Sequence, residues 1–195
     1  MVKGKVSEQP MWFFTHCRPY QAFIKTVSRF TVKTLYLMRH AKSSWKNPRL
    51  EDHERPLNKR GKRDVPVMGK RLSSRSIHLD RIVSSDARRA LDTSILIGKY
   101  LGLDASTIQR ERRLYLASRE EILDFVKGLE NAWRQVMLVG HNPGLHDAAN
   151  LFVVPPIRKL PTAGIVTLVF DIDSWHEIDP KRLFYSDFDF PKNAP

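Results

Sequence analysis

The sequence predicts an α/β protein, a three-layer α/β/α sandwich around a mainly parallel central sheet. Three observations carry this. From Thr31 onward, short apolar runs of strand character alternate with segments of helical periodicity. Val136-Met137-Leu138-Val139 is an unbroken apolar run, as expected for a strand covered on both faces. Several strand-like runs end abruptly in polar residues, and open α/β sheets bind ligands beyond the carboxyl ends of their strands.

The elements follow in order. A first strand covers about Val32–Met38, followed by a polar loop from Lys42 to Asn58 with Pro48 and Pro56. Gly61–Ser74 reads as a helix with Val65, Met68 and Leu72 on one face, and Pro66 near its start, where proline is tolerated. Arg81–Ser84 is a short strand. Ala87–Leu101 is a helix closed by Gly102. A short strand is expected between Ile108 and Leu114. Ser118-Arg119-Glu120-Glu121 fits a capping box, opening a helix that buries Ile122, Phe125, Val126 and Leu129. After the strand at 136–139, Asn142 suits an N-cap and Pro143 the first position of a helix reaching Phe152. Gly164–Phe170 is another buried-type strand, an antiparallel one is expected around Glu177–Ile178, and the tail from Ser186 reads as irregular.

Composition narrows the function classes. The chain of 195 residues suits one domain, residues 31–195, preceded by a basic extension, residues 1–30. That extension sets Lys3, Lys5, Arg18, Lys25 and Arg29 against Glu8, and carries Met11-Trp12-Phe13-Phe14. Its apolar stretch is short and interrupted by Thr15-His16-Cys17-Arg18, which argues against a signal peptide. It fits a variable appendage, mobile or loosely packed, or a segment lying on a membrane surface. No run is long enough to span a bilayer. Cys17 is the single cysteine, which excludes an internal disulfide and a cysteine metal cage, and the expected location is the cytoplasm. The net charge of +12 raises nucleic acid, an anionic surface or an anionic substrate as partners.

Three strand ends carry the chemistry. Arg39-His40 closes the first strand, Ser84-Ser85-Asp86 the second with Arg89 on the next helical turn, and His141 follows the strand at 136–139. In a parallel sheet these ends share one edge. Singly, each residue has a plain structural reading. Together, two arginines and two histidines beside helix N-termini suit a phosphoryl group better than a metal cation, since arginine holds phosphate oxygens bidentately and zinc wants a third ligand. His53, His78, His146 and His176 lie in polar contexts and read as ordinary surface or loop histidines.

These residues also resemble a known family. Arg39-His40-Ala41, the element Ser85-Asp86-Ala87-Arg88-Arg89-Ala90-Leu91-Asp92-Thr93, and Gly140-His141-Asn142-Pro143 are similar, in this order, to the motifs of the histidine phosphatase superfamily, the phosphoglycerate mutase-like proteins. Lys42-Ser43-Ser44-Trp45, Arg55-Pro56-Leu57-Asn58-Lys59-Arg60-Gly61 and Leu114-Tyr115-Leu116-Ala117-Ser118 look most like the small bacterial phosphohistidine phosphatase (SixA-type) branch. The resemblance covers about Lys33 to Phe170. It implies a phosphoglycerate mutase-like fold and a phosphatase in which His40 attacks phosphorus while Arg39, Arg89 and His141 hold the phosphoryl oxygens. Lys42, Ser43 and Ser85 are further candidates for substrate contact. No metal and no organic cofactor is implied.

Two departures shape the substrate. Many members carry a glutamate proton donor, yet Leu116-Ala117-Ser118-Arg119-Glu120-Glu121 lacks its usual context, and Glu121 already has a capping role. An imidazole leaving group departs protonated, with a pKa of about 6.5, whereas an alkoxide needs an acid. This favours phosphohistidine in a protein over a small phosphate monoester, the alternative substrate. Lys46 also stands where larger members place an asparagine, which leaves Asn47 without that role. A nucleic-acid or anionic-surface binding module is the alternative of another class, but no interleaved basic and aromatic motif accompanies the charge. No feature assigns an oligomeric state.

Overall fold

The computed structural model describes residues 32–193; the extension 1–30 and Cys17 lie outside them. Its strands are β1 (Val32–Arg39), β2 (Arg81–Ser84), β3 (Ile108–Arg110), β4 (Gln135–Gly140), β5 (Ile165–Asp171) and β6 (Leu183–Asp189). Its helices are α1 (Lys59–Ser74), α2 (Arg88–Tyr100), α3 (Arg119–Lys127) and α4 (Gly144–Asn150). The strands form one sheet in the order β3-β2-β4-β1-β5-β6. β3, β2, β4 and β1 pair in parallel; β5 runs antiparallel to both β1 and β6.

Alternation along the central strands builds the three layers. Leu35, Leu37, Val136 and Leu138 face a core completed by Ile122, Phe125 and Val126 of α3 and Leu145 and Ala149 of α4. Tyr36, Met38, Met137 and Val139 face the other way, onto Val65, Met68 and Leu72 of α1 and Ala90 and Ile97 of α2. Neighbouring residues of one strand thus serve opposite cores, as the period of two requires.

Four expectations need correction. α1 begins at Lys59, because the Asn58 side chain accepts from Gly61 N at 2.9 Å, so Pro66 lies mid-helix. Buried Val65, Met68 and Leu72 hold this segment to the sheet and offset the hydrogen bond that proline cannot donate. The N-cap of α4 is Pro143; the Asn142 amide donates instead to Leu160 O at 3.1 Å. Glu177 belongs to a 3₁₀ turn, Trp175–Glu177, that buries Trp175. The last strand is β6, which takes in the start of the supposed irregular tail. It is secured to α1 by Arg71–Asp189 (2.7 Å) and Arg75–Asp187 (2.9 Å).

Gly144 permits a close crossing that the site depends on. A Cβ there would lie 1.8 Å from Ala117 O, a backbone atom. Gly144→Ala must push α4 away from the 115–117 loop. The expected loss is on the order of 3 kcal/mol of stability, read from the denaturant midpoint.

Candidate active site

Parallel register brings the predicted strand ends to one level. Arg39 pairs with Gly140, and Ser84 with Val139. His40 N donates to Gly140 O (3.0 Å) and Ser85 N to Val139 O (2.8 Å), so the three chains leave the sheet side by side. His40, Arg89 and His141 are all buried, and the two imidazole centroids lie 4.9 Å apart.

Hydrogen bonds assign the proton positions. His40 Nδ1 faces Ala41 O at 2.8 Å and must donate to it. Arg89 Nε donates to His40 Nε2 at 3.2 Å, and since arginine has no acceptor, Nε2 presents its lone pair. The same logic makes His141 Nδ1 the acceptor from Arg89 Nη2 (3.2 Å), leaving Nε2–H for Ser85 Oγ (2.8 Å). Thr93 ties the parts together: its hydroxyl accepts from Ala41 N and donates to Arg89 O.

Burial lowers the His40 pKa to about 4; the bond to Ala41 opposes this, and the charges of Arg89 and Arg39 add to it. Burial, then the charges of His40 and Arg89, take His141 to about 3. Both rings are therefore neutral through mild acid, and His40 keeps its nucleophilic form. In the unfolded chain each would titrate near ~6.5. The unfolded state thus binds more protons below that pH, and stability falls as pH drops from there through about 4 and about 3. NMR titration of the ring C–H signals is expected to place His40 and His141 near those two values, and imidazoles titrating near neutrality would contradict the burial.

The other candidates are distributed differently. Arg39 donates through Nη1 to Leu160 O (2.8 Å), while its buried Nε has no protein partner; burial lowers its pKa. Ser85 is fully buried behind His141, a place suited to orienting that ring rather than to the rim. Ser43 is buried in a bridge to Leu57, and the Lys42 side chain is exposed. Glu120 pairs with Arg119, and Glu121 closes the capping box on Ser118 N at 2.8 Å. Asn47 Oδ1 accepts from Arg49 N within its own loop.

The cluster also contains residues that periodicity does not reveal. Asp52, in the 3₁₀ turn Asp52–Glu54, accepts from Arg89 Nη2 (2.8 Å) and from the Tyr115 hydroxyl (3.0 Å). Burial raises its carboxyl pKa, but the bonds from Tyr115 and Arg89 and the Arg89 charge outweigh this and hold it low. His53, read from sequence as ordinary, pairs with Asp86 at 2.9 Å and meets the Tyr115 ring edge-on; the Tyr115 ring also packs edge-on against His141. The available signal was position: Asp52 lies just before the Arg55-Pro56-Leu57 segment, and Tyr115 within Leu114–Ser118. Among the described residues, no group of three or more His, Cys, Asp or Glu could hold a metal ion. No helix of the described residues is long and apolar enough to cross a membrane.

This arrangement can hold a tetrahedral anion against an uncharged imidazole. Comparison with known proteins agrees with it. Residues 35–115 match the histidine phosphatase superfamily (branch 1). An uncharacterised protein of Picosynechococcus is 31% identical over 143 residues, 69% of this chain and 83% of its own. An uncharacterised chloroplastic protein of Arabidopsis thaliana is 29% identical over 168 residues, 82% of this chain and 77% of its own. Among solved structures, a candidate phosphohistidine phosphatase SixA from Agrobacterium tumefaciens superposes with a TM-score of 0.66 at 27% identity, covering 84% of this chain and 99% of that one.

Proposed function

Since the chain belongs to the histidine phosphatase superfamily, we propose that it removes phosphate from phosphohistidine in a protein, through a covalent intermediate on His40. His40 Nε2 attacks phosphorus, the substrate P–N bond breaks, and the leaving imidazole departs with the proton it already carries. Water then attacks the phosphoenzyme, releasing inorganic phosphate and restoring His40. Arg39, Arg89 and His141 hold the equatorial oxygens, where charge accumulates in phosphoryl transfer. His141 must turn an N–H toward an oxygen to do so. The Ser85 hydroxyl, which can donate as well as accept, permits that change of tautomer.

One observation carries the choice of substrate. Asp52, the carboxylate bonded into the cluster, is kept ionised by Arg89 and Tyr115, and so cannot donate a proton at neutral pH. Glu120 and Glu121 have their own partners. With Asp52 held ionised and Glu120 and Glu121 engaged elsewhere, the site suits a leaving group that needs no proton donor. Phosphate release from a phosphohistidine peptide, p-nitrophenyl phosphate and glycerol phosphate tests this. The first two are expected to turn over at least about a hundredfold faster than the alkyl ester, the usual contribution of general acid catalysis. Equal rates on the alkyl ester would favour a general phosphomonoesterase instead.

A further inference from the structure

We propose that Asp52 is a positioning residue that fixes the guanidinium of Arg89 for the phosphoryl group. The inference rests on the reading of Arg89 as a phosphoryl-holding residue. Arg89 divides its donors between two sides. Nη1 donates to the Asp52 main-chain carbonyl and Nη2 to Asp52 Oδ2 at 2.8 Å. The remaining contacts, Nε to His40 Nε2 and Nη2 to His141 Nδ1, both at 3.2 Å, face the histidine pair where the phosphoryl group would sit. Asp52 thus grips one edge of the planar fork and leaves the other for the ligand.

The grip is itself braced. Tyr115 donates to Asp52 Oδ2 (3.0 Å), and Arg55 Nη1 to Oδ1 (3.3 Å). The adjacent residue repeats the connection in the opposite sense: His53 of the 3₁₀ turn pairs with Asp86, three residues before Arg89. Two crossed pairs, Asp52–Arg89 and His53–Asp86, therefore latch the 52–54 turn onto the start of α2. A guanidinium swings on a long stem, and fixing it in advance removes an ordering cost from phosphate binding. The Arg89 side chain is only 5% exposed, whereas Asp52 is 45% exposed, so water screens the carboxylate end of the pair and leaves the guanidinium end dry.

Tungstate affinity, measured by calorimetry on Asp52→Ala, Arg89→Ala and the double variant, tests the proposal, with melting curves confirming that each is folded. Asp52→Ala is expected to weaken tungstate about tenfold, the scale of a lost charge-assisted hydrogen bond. In the Arg89→Ala background the same change is expected to cost less than about twofold, because neighbours acting through one another are not additive. Asp52→Asn, which keeps an acceptor, is expected to fall between wild type and Asp52→Ala. Unchanged or tighter binding by Asp52→Ala would overturn the proposal, tighter binding marking Asp52 as a competitor of phosphate. So would a full tenfold loss in the Arg89→Ala background. Unaltered affinity in Arg89→Ala itself would instead overturn the reading of Arg89, and the proposal with it.

Discussion

His40→Ala is expected to lower kcat on a phosphohistidine peptide by about 10⁴-fold or more, the scale seen when an enzyme loses its nucleophile. On the proposed mechanism no neighbour can replace it. Nε2 carries the lone pair because Nδ1–H is tied to Ala41 O and burial keeps the ring neutral, and the Arg89 Nε–H that it accepts is a donor the phosphoryl oxygens take over. His141, its ring centroid 4.9 Å away, pairs through Nε2 with the Ser85 hydroxyl rather than a backbone carbonyl, and in the mechanism it turns an N–H, not a lone pair, toward the phosphoryl oxygens. Tungstate binding is expected to weaken only a few fold, since Arg39, Arg89 and His141 remain to hold its oxygens. Single-turnover phosphate release and tungstate calorimetry on one preparation separate the two quantities. Loss of both together would point to a collapsed site.

The second large effect is expected from Arg89→Ala, about 10²- to 10³-fold in kcat, as for removal of one preorganised donor from a transition state. Arg89 ties both histidines to the turn at 52–54: His40, His141 and Asp52 all bond to it. Its loss leaves the Asp52 carboxylate with only Arg55 Nη1 (3.3 Å) and the Tyr115 hydroxyl (3.0 Å) against its charge, so weaker compensation adds to the missing donor. Arg89→Lys is expected to recover little, because an ammonium cannot present a planar fork to the histidines and to Asp52 at once. Steady-state kinetics of the three proteins check this, and near-normal kcat in Arg89→Lys would show that charge alone suffices.

The sheet was legible where chemistry is local. Alternating or continuous apolar runs mark β1, β4 and β5, and the capping box marks α3. β6 escaped because Ser186, Asp187 and Asp189 read as loop residues. What makes them a strand is distant: their backbone pairs antiparallel with β5, and Asp187 and Asp189 meet Arg75 and Arg71 of α1. Asn142 escaped for a similar reason, since Leu160 O attracts its amide away from the cap. The candidate site divides in the same way. Arg39, His40, Arg89 and His141 follow from strand ends, which a parallel sheet must gather on one edge. Asp52, His53 and Tyr115 arrive through irregular turns whose paths no hydrophobic period encodes, and their pairing with Arg89 and Asp86 exists only in three dimensions.

The most direct measurement is mass spectrometry of the enzyme quenched at neutral to alkaline pH within milliseconds of mixing with a phosphohistidine peptide. The account predicts one phosphoryl group, located by peptide fragmentation on His40, absent from His40→Ala and disappearing as phosphate is released. A phosphoryl group on another residue, or phosphate release with no labelled enzyme at any time, would contradict it.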